Sequence, residues 1–158
     1  MRRPLFLMLS TALVALLASG VALAAAVSGS DDRDRILGTN RPDAIAAEGG
    51  ADRVNGKGGD DTISGGSGDD QLNGGYGDDL IAGGNGDDTI SSDAGVLGNS
   101  GRGTFGRDRL YGGDGNDVIS AGGDGKRDRR ISCGRGRDEV FADRRDPVAA
   151  DCEKVRIR

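Results

Sequence analysis

The strongest constraint in this 158-residue chain is a spacing. The aliphatic residues Ile36, Ile45, Val54, Ile63, Leu72, Ile81 and Ile90 follow one another at intervals of nine. The register resumes at Leu110 and Ile119, and again at Ile131 and Val140. Two residues before each stands an aspartate: Asp34, Asp43, Asp52, Asp61, Asp70, Asp79, Asp88, Asp108, Asp117 and Asp138. Ile131 alone departs, with Arg129 at that place and Asp128 one position earlier. Glycines fill the other half of the unit, as in Gly65-Gly66-Ser67-Gly68-Asp69-Asp70 and Gly83-Gly84-Asn85-Gly86-Asp87-Asp88.

A unit of this kind points to a repetitive, stacked fold, with a disordered chain as the alternative. Six residues rich in Gly, Asp and Asn turn tightly, because glycine accepts positive φ. The next three, such as Thr62-Ile63-Ser64, suit a very short strand with one side chain inward. One turn and one strand bury nothing alone, whereas stacked copies do. If successive strands alternate between two facing sheets, a coil takes two units. Ile36, Val54, Leu72 and Ile90 then line one sheet, and Ile45, Ile63 and Ile81 the other. The expected fold is an all-β parallel roll, a β-solenoid with a thin aliphatic core. Composition agrees: glycine is 30 of 158 residues, aromatics are 3% and Trp is absent, which disfavours a conventional globular core.

The turns carry an electrostatic cost. Stacked strands lie ~4.8 Å apart, so Asp61 and Asp79 face each other on one edge, as do Asp70 and Asp88. Like charges at that distance repel by ~1 kcal/mol in water and by ~3–4 kcal/mol at an effective dielectric near 20. Each buried aliphatic returns only ~1.5–3 kcal/mol. A divalent cation between the turns reverses the sign. Carboxylates and glycine carbonyls offer hard oxygen ligands, which suit Ca2+; Mg2+ demands octahedral geometry and holds its water.

These turns resemble the repeats-in-toxin (RTX) family, whose unit is G-G-x-G-x-D-x-U-x. The resemblance runs from about Gly29 to Phe141 and is most specific over Gly56–Ser91 and Gly112–Ser120. It implies a parallel β-roll with Ca2+ between turns of successive coils. The metal aspartates it implies are Asp61, Asp70, Asp79 and Asp88, joined by Asp52 and Asp117. The turns before Ile36 and Ile45 lack the double glycine and are expected to form a capping first coil with weak or absent metal sites. The turn at Gly122–Asp128 carries an extra residue and two cations. Ile90 and Leu110 stand 20 apart, so the segment at about 91–107 is either a looped-out coil or an irregular insertion. RTX toxins, proteases and lipases carry such repeats beside a large effector domain, which this sequence lacks.

The two ends differ from the repeats. Arg2 and Arg3, the apolar run from Leu5 to Leu17, and Ala22-Leu23-Ala24-Ala25-Ala26 follow the order of a secretory signal peptide. Cleavage after Ala24 or after Ala26 satisfies the small-residue rule equally. An uncleaved membrane anchor is the alternative, since Leu5 to Val27 reaches the ~20 residues a span needs. At the far end, Cys133 and Cys152 are the only cysteines. Their segment resembles the closing module of many small secreted bacterial repeat proteins, and two cysteines in an exported chain usually pair. Metal ligation by two thiolates without His is the poorer alternative. The expected division is a signal-peptide helix over 1–26, a roll over 27–132 and a disulfide-closed cap over 133–158.

Catalysis finds little support. The chain has no His, which excludes Ser-His-Asp and Cys-His catalysis and any His-bound zinc. Paired aspartates such as Asp60-Asp61 resemble glycosidase acids, but they recur in every good repeat, as a scaffold ligand would. No phosphate-binding Gly-Lys loop or EF-hand loop occurs, and the aromatics form no platform for bases or sugars. The expected function is that of a secreted, non-enzymatic calcium-binding protein that folds on Ca2+. No nucleic acid partner and no stable membrane insertion after signal cleavage are expected. Two alternatives stand beside it. One is an adhesion or surface-matrix protein using the roll as a spacer toward cell-surface or matrix polymers. The remoter one is a hydrolase of unknown type.

Overall fold

The computed structural model describes residues 25–93, 106–122 and 126–157. Over these, every regular element is a strand: β1 (Ala25–Ser30), β2 (Arg35–Leu37), β3 (Asp43–Glu48), β4 (Arg53–Gly58), β5 (Thr62–Ser67), β6 (Gln71–Tyr76), β7 (Leu80–Asn85), β8 (Thr89–Asp93), β9 (Arg109–Asp114), β10 (Val118–Ser120), β11 (Arg130–Arg135), β12 (Glu139–Ala142) and β13 (Lys154–Ile157). Odd strands up to β11 form a six-stranded sheet in the order β1-β3-β5-β7-β9-β11. The second, seven-stranded sheet runs β13-β12-β10-β8-β6-β4-β2. All pairings between these strands are parallel. The chain therefore winds as a β-roll, with consecutive strands on opposite sheets, as the nine-residue spacing requires.

The register stacks the aliphatics into two facing columns. In one sheet Val27, Ile45, Ile63, Ile81, Leu110 and Ile131 pair in succession. In the other, Ile36, Val54, Leu72, Ile90, Ile119 and Val140 do so. From Val54 to Val140 these column residues are at most 1% exposed. With one large buried aliphatic on each strand from β2 to β12, the core is a single aliphatic layer between two sheets.

The turns depend on glycine where coils touch. Gly84 has φ +122°, and a β-carbon there would lie 2.1 Å from the Gly66 carbonyl oxygen of the preceding coil. No other residue fits that position without moving the backbone. In the early coils the equivalent places are held by Glu48 and Lys57, both at φ 76°.

The register is kept across departures from the period. Leu110 pairs with Ile81, so β9 lies beside β7 on the sheet opposite β8. Among the described residues no additional coil lies between them, and the expected irregular segment at about 91–107 falls largely outside those residues. The extra residue before Ile131 forms a bulge, in which the Arg129 and Arg130 N–H groups both point at the Asp108 carbonyl, at 2.8 and 3.3 Å.

Cys133, fully buried in β11, is disulfide-bonded to Cys152 with a Cα–Cα distance of 5.1 Å. The chain after β12 covers both sheets. Val148 bridges to Ile131, and β13 pairs with β12. The expected signal peptide lies outside the described residues except for Ala25 and Ala26, which open β1. Among the described residues no helix is long and apolar enough to cross a membrane.

Candidate metal centre

Each turn delivers its aspartate to an edge of the roll, where the aspartates of successive coils form a ladder. On one edge, the N–H groups of Asp43, Asp61, Asp79, Asp108 and Asp128 donate to the Oδ1 atoms of Asp61, Asp79, Asp108, Asp128 and Asp146, at 2.8–3.1 Å. On the other, Asp34, Asp52, Asp70, Asp88 and Asp117 donate to Asp52, Asp70, Asp88, Asp117 and Asp138, at 2.7–2.9 Å. The second ladder ends on Glu153, whose Oε2 accepts the Asp138 N–H at 2.9 Å. Backbone donors thus hold one oxygen of each carboxylate and aim the other.

That other oxygen divides the ladder aspartates into two groups. The Oδ2 atoms of Asp52, Asp61, Asp70, Asp79, Asp88, Asp117 and Asp138 are buried and meet no hydrogen-bond donor. At the start of the roll the same atom is occupied. Asp34 Oδ2 accepts the Ser30 N–H and hydroxyl at 2.7 and 3.0 Å, and Asp43 Oδ2 accepts the Thr39 N–H at 2.6 Å. At the far end Asp146 Oδ2 accepts the Asp143 N–H at 2.6 Å. An unsatisfied buried carboxylate oxygen costs several kcal/mol unless something binds it.

A glycine carbonyl faces the same space. A β-carbon on Gly65 would lie 2.3 Å from Asp70 Oδ2 and 2.5 Å from the Gly83 oxygen of the next coil. Gly56 stands likewise against Asp61 Oδ2 and the Gly74 oxygen, and Gly83 against Asp88 Oδ2 and the Gly112 oxygen. The first glycine of each pair keeps this cradle open. Its donors are all hard oxygens, one carboxylate per turn with backbone carbonyls. Among the described residues no three acidic, cysteine or histidine side chains converge. This donor set fits Ca2+ and offers nothing to a soft metal.

The carboxylates themselves register the strain. Asp79 is pushed up to about 8, Asp88 to about 7, and Asp61 and Asp117 to about 6. Burial is the main cause in each; the N–H bond from the preceding coil opposes it, and neighbouring aspartates add to it. Asp70 and Asp138 are raised for the same leading reason.

All six aspartates expected from the sequence (Asp52, Asp61, Asp70, Asp79, Asp88 and Asp117) lie in these ladders with a buried, undonated Oδ2. Asp138 shares the arrangement; its signal was its place two residues before Val140. The other member of each aspartate pair forms a second row. Asp60, Asp69, Asp78 and Asp87 accept the N–H groups of Asp78, Asp87, Arg107 and Asn116 through Oδ1, at 2.7–2.9 Å. These bonds run opposite to the inner ladder, so adjacent turns clamp each other in both directions. The row closes on a cation at one point, where Arg129 pairs with Asp78 at 2.5 Å.

A β-roll with oxygen-lined turns defines the class of stacked-repeat, metal-binding proteins. The model of the RTX calcium-binding nonapeptide repeat matches residues 28–63, 64–96 and 98–125, and the chain belongs to that family. Its repeats bind calcium, so Ca2+ is the expected cofactor. No curated protein and no solved structure matches the chain.

Proposed function

We propose that this protein is an exported, non-enzymatic calcium-binding module whose roll is completed by Ca2+ at the turns, with Asp52, Asp61, Asp70, Asp79, Asp88 and Asp117 as ligands. One contrast carries the reading. Oδ2 meets protein donors at Asp34 and Asp43, which open the two ladders, and at Asp146, which closes one of them, and none at these six aspartates. Protein groups do the work of a cation at those three places. At the six, the carboxylates await one. Each ion would join turns of successive coils, so binding free energy becomes folding free energy. Export supplies both the calcium and the oxidising conditions for Cys133–Cys152. Repetition of the paired aspartates along both edges supports a scaffold role over a catalytic one. Equilibrium dialysis of the exported protein against Ca2+ tests this: several ions should bind per chain, with Mg2+ in equal amount competing poorly. Binding of no Ca2+ would overturn the reading.

An extracellular adhesion or matrix role is the second reading. The basic last coils favour it, exposing Arg135 and carrying Arg137, Arg144 and Arg145. Anionic cell-surface polymers would be retained by the protein in a pull-down at physiological salt if it held.

A further inference from the structure

We infer that the exported chain begins at Ala25 and that its freed α-ammonium closes one aspartate ladder on Asp43. The inference rests on the export reading above and goes one step past it. The sequence offers two equivalent cleavage points, after Ala22-Leu23-Ala24 and after Ala24-Ala25-Ala26, each with small residues at the required places. The roll distinguishes their products.

Ala25 occupies the ladder position of a missing aspartate. It pairs in register with Asp43, and its N–H donates to Asp43 Oδ1 at 3.3 Å across 18 residues, the separation that also links Asp43 to Asp61. Asp43 is only 3% exposed. Its other donors are the Thr39 N–H at Oδ2 and the Thr39 hydroxyl at Oδ1, 2.6 and 3.2 Å away, and both are neutral. No ion pair among the described residues includes Asp43.

Hydrolysis of the Ala24–Ala25 bond by a membrane-bound signal peptidase adds water across the amide. Ala24 leaves with a carboxylate and Ala25 retains an ammonium. The neutral donor at Asp43 then becomes a cation, and the contact a charge-assisted bond. Cleavage after Ala26 instead removes the Ala25 donor and two residues of β1. It leaves Asp43 with the neutral Thr39 donors alone and no counter-charge. The peptidase acts on an unfolded chain, so the fold does not direct the cut. It shows which product completes the ladder.

The test starts from the full chain, expressed in a secreting host with a C-terminal tag. N-terminal sequencing of exported material should read from Ala25. A start at Val27, or at any other residue, overturns the inference while leaving export intact. An intact Met1 chain retained in membranes overturns both. A second arm probes the cap itself, by amine acylation at pH 7 with Lys57 and Lys154 as internal references. The ion pair should raise the α-amine by about one pKa unit, so that Asp43→Asn speeds its acylation roughly tenfold. A β signal and a thermal transition that match those of the unsubstituted protein show the variant is folded. Equal α-amine rates in the two proteins would contradict the cap.

Discussion

Asp79 and Asp61 stand one coil apart on the same edge of the roll. The Asp61 N–H donates to Asp79 Oδ1 at 2.9 Å, and the Oδ2 atoms of both are buried without a donor. One carboxylate thus has two duties. It satisfies the backbone of the coil before it, and it presents a ligand oxygen.

Asp79→Ala removes both. The Asp61 N–H loses its acceptor and the cradle beside Gly74 loses an oxygen. Loss of a buried hydrogen-bond partner costs ~1–3 kcal/mol. The calcium midpoint for folding should rise roughly tenfold, within the same range. Asp43→Ala should move it less, because Thr39 already occupies Asp43 Oδ2. Midpoints read from the β signal of the two variants decide; a larger shift for Asp43→Ala would contradict the ordering.

The disulfide closes the last coils over a separation of 19 residues. A bridge of that span is worth ~3 kcal/mol. The Cys133→Ser, Cys152→Ser variant should therefore melt on the order of 10 °C lower in saturating calcium. In the native protein both cysteines should resist alkylation until reduced. Free labelling of both without reductant would remove the bridge from the account.

The columns Ile36–Ile90 and Ile45–Ile81 were legible because each strand turns one large apolar side chain inward, so the period of nine is the core itself; the 20-residue gap before Leu110 hid which column it joins, and the pairing with Ile81 decides it. Asp52 to Asp117 were legible for a related reason: a strand and its turn have fixed lengths in the regular coils. Asp128 was harder to place. It stands three residues before Ile131 rather than two, and the bulge at Arg129 and Arg130 restores it to the ladder beneath Asp108. The far ends of the ladders were not legible either. Glu153 and Asp146 terminate the ladders from an irregular segment, and no repeat marks them. The reverse bonds of Asp60 and Asp69 depend on turn geometry that composition does not encode.

Protonation gives the metal-free roll a pH dependence of definite sign. The folded-state values of Asp61, Asp117, Asp88 and Asp79 lie above the usual carboxylate value of 3.8. Neutral carboxyls are therefore favoured in the folded state. Their contribution is fully present near pH 4 and is lost as pH rises through about 6, 7 and 8. Calcium needs the carboxylates ionised, so its dependence runs the other way. Calcium-free protein should gain β signal between pH 8 and pH 5, while its calcium midpoint rises over the same interval. Thermal melts across that range check the first trend and calcium titrations the second. A calcium-free roll that strengthens toward pH 8 would contradict the sign.

The central claim is that Ca2+ completes the fold, and circular dichroism of the exported protein at pH 8 tests it most directly. Without calcium, repulsion along both ladders adds to the entropy of ordering the glycine-rich turns, and the chain should be largely disordered. Added Ca2+ should restore the β signal cooperatively, since each completed turn supports the next coil. Mg2+ at equal concentration should restore little of it. A chelated protein that keeps its β signal and its thermal transition unchanged would contradict the account.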